Sequence, residues 1–291
     1  MVAFASNSLL CRLALKQTGI DAATFTLIRI VSGAAMLFLI VQFRGFSKTD
    51  HSSPARPETG SWISAFTLFV YAAAFSFAYN KLAAGTGALL LFGAVQATMI
   101  FWGFHKGERF RAIQVVGLIA AIAGLIALLL PGITAPPLPS SILMLAAGIA
   151  WGIYSLRGKA ARNSITATAG NFVRAIPFAM ATALIWLRSI QIDRAGIAYA
   201  GVSGAITSGL GYVIWYKVLS DPKGGLGHTA AATVQLSVPV LAATGGILLL
   251  HEPITFRYVL ASIAVLGGIL LVIVEKNQAG KSNTTVSLAA R

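Results

Sequence analysis

Ten apolar runs, each near the length that crosses a lipid bilayer, follow one another along this chain with little between them. They are Met1–Leu15, Ala23–Phe43, Ser61–Tyr79, Gly85–Phe104, Ala112–Leu130, Ser140–Leu156, Thr166–Leu187, Ala195–Leu219, Gly227–Leu250 and Thr255–Val274. About 20 residues at ~1.5 Å each span ~30 Å of hydrocarbon. None of the runs shows the strict alternation of a barrel strand, so all ten read as helices. The links have between 4 and 17 residues, which leaves no room for a soluble domain. Any function must be carried by the membrane bundle itself.

Composition agrees with that reading. With 57% hydrophobic and 10% charged residues and a mean hydropathy of +0.80, a soluble globule could not cover itself with polar surface. The net charge of +14 raises nucleic acid as a partner, but the Lys and Arg residues are scattered between apolar runs rather than gathered on one water-exposed element. Nucleic-acid binding is therefore set aside. The single Cys11 cannot form an internal disulfide, and no Cys/His spacing suggests a metal. No cofactor is implied.

The first two runs return later in the chain. Arg12 and Arg157, and Arg29 and Arg174, are each separated by 145 residues. In both copies an apolar helix ends in a basic turn, a short polar link follows, and the next helix carries one arginine shortly after its start. The fifth and tenth runs align at an offset of 144, with Glu108 on Glu252, Gly117 on Ala261 and Gly124 on Gly268. A glutamate at the first turn of each helix reads as a cap on its positive end, with Pro253 as a helix starter. The small residues seven apart allow close packing, so this pair reads as scaffold.

Five helices per half is an odd number, so the second half enters the membrane inverted. Counting basic residues sets the direction. With the N-terminus in the cytoplasm, the inner links and tail hold 14 Lys and Arg and the outer links 5, and both termini are cytoplasmic. The expected organisation is all-α and polytopic, with ten transmembrane helices in two inverted five-helix repeats, residues 1–133 and 138–276, and a tail at 277–291. Eleven residues precede Arg12, against about seventeen in the corresponding run before Arg157, so about six are expected to be missing before Met1. The start lacks the basic region and cleavage site of a signal peptide.

A weak tandem repeat of five helices, an arginine early in the second helix of each half, and Pro239 followed by Glu252 and a glycine-containing helix resemble the drug/metabolite transporter superfamily, in its EamA-type ten-helix branch. Within it, the opening SNSLLCRLAL and the aromatic content are most similar to bacterial inner-membrane aromatic amino-acid exporters. The resemblance implies a secondary transporter in the bacterial inner membrane, with a small amphiphilic molecule as substrate, lipid as surroundings and a monomer as a sufficient unit. Ala97 stands where Pro239 has its counterpart, which suggests a straighter fourth helix.

Other chemistries find no support. There is no GxxxxGK[ST] loop for ATP. The four histidines, His51, His105, His228 and His251, fall in links or at helix ends, so no catalytic cluster forms at bilayer depth. All eight carboxylates also lie in links or at span ends. A buried acid that would exchange substrate for protons is missing, which favours facilitated movement or exchange of neutral or zwitterionic substrates. Arg29 and Arg174 are the charges well inside spans. Either grips a substrate carboxylate, or each snorkels or pairs with carbonyls; their repeat-related positions near opposite faces favour the second reading.

The cavity is then expected to be lined by aromatics and neutral polar groups. The candidates are Asn7, Ser76, Tyr79, Gln96, Trp151, Tyr154, Ser208, Tyr212, Trp215, Gln235 and Ser237. Trp and Tyr also belt membrane interfaces, and Trp62, Trp102 and Trp186 fit that role better. Gly85–Gly87 and Gly224–Gly227 are either gating hinges or tight loops. The function expected is alternating-access export of amino acids, aromatic ones favoured. Rivals are export of lipophilic cations, or of threonine or homoserine.

Overall fold

The computed structural model describes residues 1–47, 59–107, 111–159, 163–220 and 234–289. Glu108 and Gly224–Gly227 lie outside them. The first seven helices are α1 (Val2–Gln17), α2 (Ala22–Ser47), α3 (Trp62–Tyr79), α4 (Ala84–His105), α5 (Ala112–Leu129), α6 (Leu138–Lys159) and α7 (Ser164–Ile185). The eighth span begins as α8 (Arg194–Val202), passes through a π-helical segment (Ser203–Leu210) and continues as α9 (Gly211–Ser220). Two more follow, α10 (Ser237–Leu250) and α11 (Phe256–Ala289). Among the described residues, eight helices are long and apolar enough to cross a membrane, while α1 with 16 residues and α10 with 14 are shorter.

Polar residues just outside the apolar runs start several helices. Ser61 accepts a hydrogen bond from the Ser64 N–H at α3, Asn163 from Thr166 at α7, and Asp193 from Gly196 at α8. Each satisfies one of the free N–H groups at a helix start. In lipid that matters more, because no water replaces a missing partner. Apolar side chains cover the outside of the bundle: Ile119, Leu184 and Ile263 are all exposed. Trp62, Trp102 and Trp186 are exposed too, as an interfacial belt requires.

Contacts between helices follow a regular scheme. α2 packs on α7 and α5 on α11. α3 meets α6 and α7, while the eighth span meets α1 and α2; α4 meets α6, and α10 meets α1. Every one of these pairings has its counterpart five spans along. α5 and α11 can approach closely because Gly117 and Gly268 face each other, and a methyl group on either would strike the other's carbonyl oxygen.

Two details depart from the sequence reading. The tenth span starts at Phe256, so Glu252 does not cap it. The carboxylate turns to α4, where its Oε2 accepts the N–H of Ala84 at 2.7 Å. Gly85 and Gly87 are packed in the first turn of α4 and form no unwound hinge. α4 runs unbroken from Ala84 to His105.

Candidate functional site

Four spans meet around a buried chain of polar groups. Asn7 of α1 accepts hydrogen bonds through Oδ1 from Ser203 Oγ at 2.6 Å and Thr207 Oγ1 at 3.2 Å, and its Nδ2 donates to Tyr71 Oη at 3.3 Å. Tyr71 Oη, on α3, also accepts from Arg29 Nη2 at 2.9 Å. Arg29, on α2, donates through Nε to Ser208 Oγ at 3.3 Å. Asn7, Arg29, Tyr71, Ser203, Thr207 and Ser208 are all buried. The π segment makes this possible. Its wider turn carries Ser203 and Thr207 toward α1 and Ser208 toward α2, and such segments frequently mark functional positions. Gly204 lets α2 and the π segment touch, since a Cβ there would collide with the Arg29 carbonyl oxygen and Ser32 Oγ.

Rings surround the polar chain. Trp151 lies 4.8 Å from Tyr71, 4.9 Å from Tyr212 and 5.5 Å from Tyr154, on which it stacks. Phe4 stands 5.9–6.2 Å from Trp215, Tyr212 and Trp151. The Arg29 guanidinium lies 5.1 Å from the Tyr71 ring centre and 5.0 Å from that of Phe75, within cation–π range. A flat apolar molecule with a polar head matches this composition.

The two ends of the bundle differ. At the end where α1 finishes, Arg12 Nε meets Glu252 Oε1 at 2.9 Å, and Arg12 Nη1 donates to the carbonyls of Tyr79 at 2.8 Å and Asn80 at 3.0 Å. Lys16 donates to the Leu250 carbonyl at 3.2 Å, closing the C-terminal end of α10. Asp21 accepts from the N–H groups of Ala23, Thr24 and Gln191, tying the α1–α2 link to the link before α8. Partial burial pushes the Asp21 carboxyl up, but these bonds and one from the Thr24 hydroxyl outweigh it and hold the group below the ordinary carboxylate range.

At the end where α3 begins, a cavity of about 640 Å³ opens, lined by Ser61, Ser64, Trp102, Ile153, Arg157 and Asn171 among others. Arg157 donates to Ser64 Oγ at 2.9 Å and Ser61 Oγ at 3.4 Å. Arg12 and Arg157 thus hold opposite ends of α3. From the cavity a line of contacts leads inward: Asn171 Nδ2 donates to Tyr154 Oη at 3.4 Å, Tyr154 stacks on Trp151, and Trp151 meets Tyr71 beside Arg29.

Six of the residues singled out in the sequence, Asn7, Trp151, Tyr154, Ser208, Tyr212 and Trp215, come together here. Gln96 and Gln235 form a buried pair of their own, at 3.4 Å. Ser76 bonds back to the Ala72 carbonyl of its own helix, and Ser237 to the Val234 carbonyl. Tyr79 belongs to the closed end, its hydroxyl donating to the Ala84 carbonyl at 3.2 Å. Arg174 pairs with the carbonyls of Thr59 and Gly170, as the scaffold reading expects. Arg29 does not. It is 2% exposed, reaches neither interface nor carbonyl, and sits in the middle of the polar chain. Tyr71, Ser203, Thr207 and Asn171 were not singled out; an isolated hydroxyl or amide in an apolar run was the available signal.

Residues 138–274 match the EamA-like transporter family. The chain is 50% identical over 276 residues to the uncharacterized protein PA1977 of Pseudomonas aeruginosa, covering 95% of this chain and 92% of that one. It is 23% identical over 257 residues to the uncharacterized transporter YoaV of Bacillus subtilis, covering 85% of each. It is 27% identical over 199 residues to an uncharacterized transporter of Archaeoglobus fulgidus, covering 66% of this chain and 68% of that one. A solved crystal structure with 17% identity superposes with a TM-score of 0.60 over 93% of this chain and 94% of that one, a likeness of fold.

Proposed function

We propose that this chain, which belongs to the EamA-like transporter family, exports small amphiphilic metabolites, aromatic amino acids favoured, across the bacterial inner membrane by alternating access. What carries the reading is the central site: a buried polar chain from Asn7 to Ser208 enclosed by Tyr71, Trp151, Tyr154 and Tyr212, tied shut at one end and approached through a cavity at the other. The rings suit an aromatic side chain, and the hydroxyl and amide groups suit a polar head.

The two halves then act as inverted repeats around one site, each closing an end in turn. With the N-terminus in the cytoplasm, the Arg12–Glu252 end faces the periplasm and the cavity faces the cytoplasm. The described state loads substrate from inside. None of the polar chain is an acid, so no proton is carried by the site, and the gradient of the exported molecule drives its own movement.

Counterflow in liposomes tests this. The purified protein is expected to exchange labelled phenylalanine faster than threonine or a lipophilic cation, with little response to an imposed pH gradient. Trp151→Ala should reduce phenylalanine exchange strongly. Unchanged exchange of every candidate in both Trp151→Ala and Gln96→Leu would show that the pocket lies elsewhere.

A further inference from the structure

The four repeat-related arginines, Arg12, Arg29, Arg157 and Arg174, belong to the spans that form the site and its two ends, and three of them have firm partners. Arg12 has the Glu252 carboxylate and two carbonyls, Arg174 has two carbonyls, and Arg157 holds Ser61 and Ser64 at the cavity rim. Arg29 is the most deeply buried of the set, yet its hydrogen bonds go to the neutral hydroxyls of Tyr71 and Ser208 and its guanidinium otherwise faces the rings of Tyr71 and Phe75. Its Nη1 has no hydrogen-bond partner, and no carboxylate among the described residues stands within ion-pair distance. Burying a charge this way is costly unless something of opposite charge completes it. The hydroxyls and rings orient the guanidinium, and none of them carries a negative charge to neutralise it.

We propose that Arg29 anchors an anionic head group, a carboxylate, on the transported molecule. This deepens the transporter reading and rests on it. Guanidinium presents parallel N–H groups that fit a carboxylate two at a time. Nη1 has no partner, and Nη2 is held by the neutral Tyr71 Oη, a weaker acceptor than a carboxylate. Trp151 stands 4.8 Å from the Tyr71 ring and 4.9 Å from Tyr212, and the guanidinium 5.1 Å from the same Tyr71 ring, so apolar surface for the rest of the substrate lies close to the charge. A lipophilic cation would bring a second positive charge to Arg29, so that class of substrate is excluded.

The test compares two molecules of one shape and different charge, 3-phenylpropionate and 3-phenylpropanamide, binding to the detergent-purified full chain. Binding is read by thermal shift and titration in wild type, Arg29→Gln and Arg29→Lys. The acid should bind wild type at least about tenfold more tightly than the amide. Arg29→Gln should lose that preference, and Arg29→Lys should keep part of it. Without ligand, Arg29→Gln should melt no lower than wild type, because an uncompensated charge has been removed; a merely structural arginine would give a much lower melting point. The assignment is overturned by equal binding of acid and amide to wild type, by no binding of either, by a preference that survives Arg29→Gln, or by an equal response to chloride alone. Should Arg29→Gln fail to fold, the wild-type comparison and Arg29→Lys still decide. Acid-selective binding without counterflow would leave Arg29 its role and remove the transport reading; counterflow indifferent to the carboxylate would do the reverse.

Discussion

Arg12 of α1 and Glu252 of the link before α11 stand 2.9 Å apart although 240 residues separate them in sequence. The same carboxylate accepts the first N–H of α4, and the same guanidinium holds the α3–α4 corner. Four elements therefore meet at one ion pair. Opening this end of the bundle must break it.

Glu252→Gln should loosen that closure. Cys11 reports on it, being the single cysteine of the sequence, fully buried, and one residue along α1 from Arg12. Labelling of Cys11 by a membrane-impermeant maleimide, applied from the outside of intact cells, should be slow in wild type and severalfold faster in the variant. Identical labelling rates would mean that the ion pair does not keep this end shut.

Two glycines of the eighth span should respond oppositely to the same change. Gly204→Ala drives a methyl group into the Arg29 carbonyl and should cost about 1–3 kcal/mol, with loss of transport. Gly201 has open space around its Cβ position, so Gly201→Ala should be neutral or stabilising by up to ~1 kcal/mol through helix propensity. Thermal melts of the two purified variants decide.

Asn7→Leu removes the acceptor shared by Ser203 and Thr207 and the donor to Tyr71. Thr207 can still bond to the Ser203 carbonyl, so folding should survive. Exchange of phenylalanine should fall at least about tenfold, the scale of one or two lost buried hydrogen bonds. Wild-type exchange rates in Asn7→Leu liposomes would remove Asn7 from the site.

Asp21 gives the stability a dependence on acid. Its folded carboxyl titrates below the ordinary value of ~3.9, so its contribution is complete above that value and is lost as the pH falls through the lowered one. Melting temperatures of wild type and Asp21→Asn should differ at neutral pH and converge at the acid end. A constant gap from pH 7 down to pH 3 would rule the contribution out.

Hydropathy made the helices legible because crossing a bilayer demands long apolar runs, and each described helix overlaps a predicted run, although α11 continues past Val274 to Ala289. Ends were less legible. Glu252 reads as the cap of the helix that follows it in sequence, but the N–H it reaches belongs to α4, a contact that only tertiary structure creates. The aromatic part of the site, Trp151 with Tyr154 and Tyr212, showed itself as polar-tipped rings within apolar runs. Arg29 was visible as a charge inside a span, and the repeat misled. It paired Arg29 with Arg174 as equals, yet Arg174 has the Thr59 carbonyl before α3 beside it, whereas Arg29 has the hydroxyl-bearing π segment. No residue pattern announces a π turn, because its backbone angles differ little from those of an α-helix.

That wider turn carries a surplus residue in the middle of the eighth span. Each residue of an α-helix advances the chain by roughly 100° about its axis. Were the segment between Ser203 and Leu210 to tighten to ordinary helical pitch while keeping the surplus residue, everything beyond it would swing by about that angle; deleting one position there would instead let an ordinary helix present the same face. In the tightened span Tyr212 and Trp215 would leave the pocket together, while the part before Ser203 kept its place. Which side chains face the pocket from this wall is thus set by a single amino acid's worth of backbone slack.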